Sequence, residues 1–215
     1  MAERLFATRG IHDVMVKDVN EAAGQKNKSA IHYHFGGKGD LLIAIFAFRF
    51  EQTEAAANEA LDRLLEQTPA PSPHAVIEAV WRAIIPFVES PKDWYWARLA
   101  AANMFYVNVA YEPFVHAMAM RWVKRVIALL VQACPGLPEP LVTMRVRNFL
   151  FFLTALNGEW ARRLHVARPR LSAHEFRAIF ADAVASTTAM LTAPAQESAP
   201  GEQAPRPPTP RRDRA

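Results

Sequence analysis

The sequence predicts an all-α protein, and two features of the 215-residue chain carry this prediction. Apolar residues recur at helical spacing along most of its length, whereas the runs of alternating apolar and polar residues that mark strands are missing. Proline-rich segments then divide the pattern, most clearly at residues 68–73, because proline cannot continue a helix. The division indicates nine helices.

The predicted helices follow one another with short connections. Four come first, at about residues 2–9, 14–23, 27–34 and 38–67. The other five are predicted at about 73–89, 90–108, 112–133, 139–166 and 172–192. Two starts have specific signals. Ser90-Pro91 places a cap before a first-turn proline, and Ser172 with Glu175 forms a capping box.

The composition is that of a globular protein. Hydrophobic residues make up 51% and charged residues 21% of the chain. No apolar run approaches the roughly 20 residues that cross a bilayer, and the start lacks the apolar core of a secretory signal. We therefore expect a cytoplasmic protein with no membrane partner. Cys134 is the only cysteine, which excludes an internal disulfide and Cys-rich metal sites.

The chain changes character from residue 193 onward. This segment contains six prolines and no large apolar residue, so it cannot bury enough surface to fold. The sequence therefore predicts three parts: an N-terminal domain at 1–46, a larger domain at 47–192 and a disordered tail at 193–215.

The most specific pattern lies within residues 6–42. Val16 and Val19 mark the inner face of one short helix, and Gly24 supplies its stop. Ile31 and Phe35 mark the inner face of a second short helix directly after it. Two short helices across a tight, glycine-containing turn form a helix-turn-helix.

The second of these helices presents side chains suited to DNA. Cations, which bind phosphates, are mixed with groups that hydrogen-bond base edges, and no acid lies between Glu21 and Asp40. The predicted contacts to double-stranded DNA are Lys17, Lys26, Asn27, Lys28, Ser29, His32, Tyr33, His34 and Lys38.

Three of these residues carry narrower expectations. Lys38 should open the fourth helix beside a phosphate, where the helix N-terminus adds positive potential. His34 should meet a phosphate or cap its helix, and His32 should face a base edge or solvent. The two histidines do not predict a metal site, because positions i and i+2 point about 200° apart on a helix.

This stretch resembles the N-terminal domain of the TetR family of transcription regulators. The resemblance rests on Leu5-Phe6, Gly10, Ala22-Ala23-Gly24, Tyr33-His34-Phe35 and Lys38. It implies a three-helix DNA-binding head, a six-helix body for ligand binding and dimerisation, and a homodimer. Two departures stand out. Val14 and Met15 occupy the positions of the usual Thr and Ser, leaving Asp13 to cap the second helix, and residues 25–31 run one residue longer.

The body is rich in large aromatic and sulfur-containing side chains. Some can line a pocket for a bulky apolar ligand with one or two polar handles, although for any single residue a place in the core is the alternative. The predicted ligand-binding residues are Trp81, Met104, Phe105, Met118, Trp122, Phe152, Asn157 and Trp160.

The last two helices carry apolar stripes at i, i+3, i+4 and i+7 spacing. Two such helices from each subunit would form a four-helix bundle, the arrangement that the resemblance also implies. The predicted dimer interface comprises Phe149, Leu153, Phe176, Ile179, Phe180, Ala183, Val184 and Thr187.

These features together predict a ligand-responsive transcription regulator. In the expected mechanism, a small, largely apolar effector releases a repressor from a palindromic operator. No cofactor is expected. An enzyme is disfavoured because acids are scattered and the Gly36-Gly37 segment follows a helix rather than a strand. The alternative is a helical ligand-binding protein that has lost DNA binding.

Overall fold

The computed structural model describes residues 1–25, 30–103 and 121–195, with the backbone alone at residue 30. This part of the chain contains no strand and forms nine helices, which confirms the predicted all-α class. They are α1 Ala2–Arg9, α2 Val16–Ala22, α3 Ala30–Phe35, α4 Lys38–Gln67, α5 Pro73–Glu89, α6 Trp94–Asn103, α7 Arg121–Ala133, α8 Glu139–His165 and α9 Ala173–Thr192.

The capping signals explain where the helices of the body begin. In α5, the Ser72 hydroxyl accepts a hydrogen bond from the Ala75 N–H at 3.3 Å. In α9, the Ser172 hydroxyl accepts from the Glu175 N–H at 3.2 Å, while the Glu175 carboxylate accepts from the Ser172 N–H at 2.8 Å. The predicted capping box is therefore confirmed, and it satisfies donors that a helix start leaves open.

Helix α6 begins later than the sequence predicted. Residues 91–93 form a turn, and the helix starts at Trp94 instead of Ser90. The Ser90 hydroxyl closes this turn by accepting from the Asp93 N–H at 3.3 Å. The sequence Ser90-Pro91 therefore forms a capped turn that precedes α6, and it does not form the first turn of the helix. The predicted segments 104–108 and 112–120 lie outside the described residues.

The described residues pack into two apolar cores. The smaller core belongs to the N-terminal head and contains Phe6, Ala7, Val14, Val19, Ile31, Leu41, Phe46, Trp96 and Leu99. The larger core belongs to the body and draws on α4 to α9. We call these the head core and the body core.

Helix α6 takes part in both cores. Trp96 and Leu99 lie in the head core, whereas Trp94 and Ala97 lie in the body core. The Trp96 ring packs edge-on against Phe46 of α4, with 4.9 Å between ring centroids. The head therefore rests on a helix that the body also holds.

Helices α6 and α8 approach each other closely at Gly158. A Cβ atom at this position would overlap the Cβ of Ala101 and lie 3.3 Å from the Ala97 carbonyl oxygen. Only glycine leaves room for this contact, so α6 is fixed against α8 as well as against the head. No helix in the described ranges is long and apolar enough to cross a membrane.

Candidate functional site

The helix-turn-helix predicted from the sequence is formed by α2 and α3. Val19 anchors α2 in the head core, and Ile31 anchors α3 in the same core. Gly24 lies in the turn with φ of 67°, a conformation that side-chain-bearing residues rarely adopt. The two helices are thereby held by their inner faces, and the outer face of α3 is left toward solvent.

The outer face of α3 presents three polar rings. His32, Tyr33 and His34 are all exposed, and Tyr33 has 84% of its surface accessible. The His32 Nδ1–H donates to the Gly36 carbonyl at 2.9 Å, which ties the ring to the end of its helix. Phe35 is 41% exposed, so its predicted place on the inner face is wrong. The helix ends at Phe35, and Gly36 follows it before the backbone turns into α4.

The start of α2 compensates for the missing hydroxyl residues. Val14 is fully buried in the head core, so an apolar side chain suits that position. Met15 is the N-cap residue, and its N–H donates to the Asp18 carboxylate at 2.8 Å. The prediction that Asp13 caps α2 is therefore wrong. The cap is instead provided by Asp18, in the first turn of α2, whose carboxylate accepts the hydrogen bond from the Met15 N–H.

Lys38 holds the loop in front of α2. Its ammonium donates to the carbonyl oxygens of Ile11, at 2.9 Å, and Val14, at 3.2 Å. Two of the three N–H groups of the ammonium are thus used within the head. The contact joins the first turn of α4 to a loop 24 and 27 residues earlier in the chain, and sequence spacing gave no signal for it.

The remaining predicted DNA contacts divide into two groups. Lys17 is exposed in the first turn of α2, on the solvent side of the head. Lys26, Asn27, Lys28 and Ser29 lie outside the described residues, and their contacts stay predictions. The surface formed by Lys17, His32, Tyr33 and His34 is called the α2–α3 face below.

Residues 1–45 match the family model described as bacterial regulatory proteins, tetR family. The head of the chain is therefore similar to that of TetR-family regulators, which supports a DNA-binding transcriptional regulator. Regulators of this family bind DNA as dimers and are typically not enzymes. The match ends within α4, so it covers the head and not the body. A search of curated proteins with this chain found no match.

Arg49 joins the head to the body. Its guanidinium donates twice to Glu3 of α1, at 2.7 and 2.9 Å, and once to Asp93, which directly precedes α6, at 2.8 Å. Burial alone lowers the pKa of Arg49, but hydrogen bonds with Glu3 and Asp93 and their charges raise it overall. The guanidinium is therefore charged while it links α1, α4 and the start of α6.

The predicted ligand-binding residues occupy different places in the body. Trp81, Trp122 and Trp160 are buried in the body core, and the ring centroids of Trp81 and Trp160 are 5.0 Å apart. Asn157 is buried too. Phe152 of α8 is 38% exposed, and its place in a ligand pocket stays a prediction. Met104, Phe105 and Met118 lie outside the described residues.

An open groove of about 580 Å³ lies elsewhere, along the first half of α8. None of the predicted ligand residues is among the described residues that line it. The described residues that line it are Glu139, Pro140, Thr143, Met144, Arg147, Asn148 and Phe151.

The predicted dimer residues face the interior of their own subunit. Phe149, Leu153, Phe176, Ala183, Val184 and Thr187 are buried within the single chain, and Ile179 and Phe180 pack partly buried against the same core. Burial within one chain leaves these six side chains little surface for a second copy, and their role in an interface stays a prediction. The apolar stripes of α8 and α9 pack on α5 and on each other.

A second apolar surface was missed. Met144, Phe151 and Phe152 of α8, together with Met190 of α9, are large apolar side chains that are exposed in the single chain. We call this set the outer α8–α9 face. Its signal in the sequence was the presence of apolar residues beyond the one inward stripe of α8, since a helix that packs on one side needs only one stripe.

Proposed function

We propose that this protein is a TetR-family repressor that a small, largely apolar effector releases from a palindromic operator. The observation that carries the proposal is the double role of α6. One face of this helix lies in the head core and another in the body core. A ligand that shifts packing in the body thereby shifts the support on which the head rests.

Two contacts connect the body to the head. At Gly158, α8 touches Ala97 and Ala101 of α6 without an intervening side chain. At its other end, α6 is bound to the head through Asp93 and Arg49. A displacement of α8 therefore moves α6, and the displacement reaches α4 through a short ion pair and the contact of Trp96 with Phe46.

In this proposal, the α2–α3 face is the surface that contacts DNA. Tyr33, His34 and the undescribed residues 26–29 enter the major groove, and Lys17 meets the phosphate backbone. Lys38 acts mainly by holding the loop before α2 and so orienting the helix-turn-helix. Operator DNA is chromosomal in bacteria, so the proposal places the protein in the cytoplasm.

The homodimer forms through the outer α8–α9 face. Met144, Phe151, Phe152 and Met190 expose apolar surface that a second copy would cover, and the two heads would then lie about one helical turn of DNA apart, roughly 34 Å. An effector that favours another spacing of the heads lowers operator affinity, because both half-sites can no longer be met at once.

A gel-shift titration with the DNA upstream of the protein's own gene tests the proposal. The chain should bind one fragment at nanomolar to micromolar concentration, and apolar compounds that bind the body should release it in the same concentration range. The alternative, a ligand-binding protein without DNA binding, is favoured by the exposed Met15 at the position of a hydroxyl. Ligand binding without any shifted fragment would establish that alternative.

A further inference from the structure

The groove along the first half of α8 lies beside the end of α9. It has a volume of about 580 Å³, and the described residues that line it run from Glu139 to Phe151. Arg145 lies within this stretch of α8 and donates to the carbonyl oxygens of Leu191, at 3.0 Å, and Pro194, at 3.2 Å. The end of α9 is therefore held level with the middle of the groove, and the chain that follows Pro194 starts there.

The chain leaves α9 in the direction of the start of α8. The two helices are antiparallel, since Trp160 meets Phe176 near the loop that joins them and Arg145 meets Leu191 at the other end. A chain that continues beyond α9 therefore heads for the first turn of α8. Residues 196–215, which lie outside the described residues, are in this way attached next to the groove.

The groove presents a row of apolar side chains with a carboxylate at one end. Met144 and Phe151 are more than half exposed, and Pro140 is exposed one turn before Met144. At a rise of about 1.5 Å per residue, the row from Pro140 to Phe151 is about 16 Å long. Glu139 is exposed beside Pro140 and has no ion-pair partner among the described residues. Arg147, the other charged residue of the groove, lies about 12 Å farther along the helix.

The segment 205–212 has the chemistry that suits such a row. It reads Pro-Arg-Pro-Pro-Thr-Pro-Arg-Arg. Proline-rich sequences favour the extended polyproline II helix, which rises about 3.1 Å per residue and binds apolar, aromatic-lined grooves at little entropic cost. From Pro205 to Pro210 this helix would span about 16 Å, the length of the apolar row, and two arginines follow directly. Residues 195–204 can extend over about 30 Å, which is enough to reach either end of the groove.

We propose that residues 205–212 dock in the α8 groove of their own chain and there compete with homodimer formation. The prolines pack on Pro140, Met144 and Phe151, and the two arginines pair with Glu139. Met144 and Phe151 also belong to the outer α8–α9 face, so a docked segment covers surface that a second copy needs. The docking is independent of the proposed function, whereas the competition rests on the dimer interface proposed there.

Trypsin cleavage of the full chain measures the docking. At a concentration at which the chain sediments as a monomer, the bonds after Arg211 and Arg212 should be cut about fivefold more slowly than in a synthetic peptide of residues 196–215, because only the undocked segment is cleaved. Glu139→Gln should raise the rate toward that of the peptide. The double variant Pro207→Ser, Pro208→Ser should do the same with the groove intact. Raising the protein concentration should remove the protection as dimers form.

The same variants should strengthen the dimer. In analytical ultracentrifugation, the dissociation constant of the dimer should fall at least about fivefold in Glu139→Gln and in the double proline variant, because the competing state is lost. Glu139 is not part of the outer α8–α9 face, so its substitution leaves the interface itself unchanged. Glu66→Gln is the matched control. Glu66 is also exposed without an ion-pair partner among the described residues, but it lies on α4, and its substitution should change neither measurement.

The outcomes separate this inference from the proposed function. Cleavage of the full chain as fast as that of the peptide would overturn the docking, and if Phe151→Glu is then a monomer, the proposed interface stands without it. Protection that both variants leave intact, or that increases with protein concentration, would place the segment on another surface or on the partner and would overturn docking in its own groove. A full response of cleavage with an unchanged dissociation constant would overturn the competition and count against the proposed dimer interface.

Discussion

Arg49 reaches Asp93 through one hydrogen bond, from Nη1 to Oδ1 at 2.8 Å, whereas it holds Glu3 through two. The two carboxylates also differ in exposure, with 14% of the Glu3 side chain accessible and 35% of the Asp93 side chain. The Arg49 guanidinium is therefore bound more strongly to Glu3 in the head than to Asp93 at the start of α6. Its bond to Asp93 is the weaker of the two connections.

Removing each charge in turn should reveal this difference. Glu3→Gln leaves a buried guanidinium with poorer partners and should cost about 2–3 kcal/mol of unfolding free energy. Asp93→Asn should cost only about 1 kcal/mol, because that carboxylate is partly solvated. Urea unfolding of both variants measures the costs. A larger loss in Asp93→Asn would contradict the assignment of the weaker connection.

Asp93 should also give the protein an acid-sensitive component of stability. Burial raises the pKa of Asp93, but hydrogen bonds from Ser90 and Arg49 and the Arg49 charge outweigh it and lower the pKa below its ordinary value. A carboxylate of this kind stabilises the fold at a pH above its ordinary pKa of about 3.9, and the contribution is lost as pH falls through the lower folded value.

The variant Asp93→Asn isolates that component. The difference in unfolding free energy between the wild type and the variant should be constant from about pH 7 to pH 5 and should shrink toward zero below about pH 4. Urea unfolding at a series of pH values gives the curve. A difference that stays constant down to the acid transition would show that Asp93 is not stabilised as a carboxylate.

Lys17 and Lys38 should affect DNA binding in different ways. Lys17→Ala removes an exposed cation, so it should weaken binding to all sequences and reduce the salt dependence by about one unit of slope without changing stability. Lys38→Ala removes two hydrogen bonds that hold the loop before α2 and should cost about 1–2 kcal/mol of stability. Binding isotherms at several salt concentrations, with thermal unfolding beside them, separate the two effects. If Lys38→Ala changes the slope as much as Lys17→Ala, its ammonium also meets a phosphate.

The outer α8–α9 face should control assembly. Phe151→Glu places a charge on an exposed apolar surface, so the single chain should remain folded but sediment as a monomer and lose operator binding. Phe48→Glu is the control, since Phe48 is similarly exposed but lies on α4. Analytical ultracentrifugation with circular dichroism tests the pair. If the Phe151→Glu variant remains a dimer, the dimer interface lies on another surface.

The contact between α6 and α8 should tolerate no added methyl group. Gly158→Ala would push its Cβ into Ala101 and should cost about 1–3 kcal/mol while weakening operator binding. Ala101→Gly in the same chain removes the opposing methyl and should recover much of the loss. Thermal unfolding of the two single variants and the double variant measures the coupling. Additive losses would show that the two positions do not meet.

Local chemistry made the head and several helix ends predictable. Helix-forming periodicity, Gly24 and the Ser172–Glu175 pair act over a few residues, so they can be recognised in the sequence. The Lys38 contact with Ile11 and Val14 could not be predicted, because it depends on where the chain places a loop 24 to 27 residues away. The same limit applies to Arg49 and its partners.

The dimer interface shows a different limit of sequence periodicity. Periodicity reveals that Phe149 of α8 and Val184 of α9 each lie on a buried helix face, but it carries no information about what covers those faces. In the folded chain the cover is α5 and the neighbouring helix. An exposed apolar residue such as Phe151 indicates a candidate interface only after the residues that face the core have been assigned.

The sharing of α6 between two cores has a consequence for modularity. Trp96 and Leu99 complete the apolar interior of the head, although they lie about fifty residues beyond the stretch that carries the family pattern. A fragment cut at residue 46 would lose two members of the head core and would expose the surface of Phe46 that the Trp96 ring covers. Such a fragment should aggregate or fold poorly, and a chimera that exchanges operator specificity between two regulators must transplant the matching α6 positions along with the head. In this protein, a change of operator specificity is therefore constrained by the body.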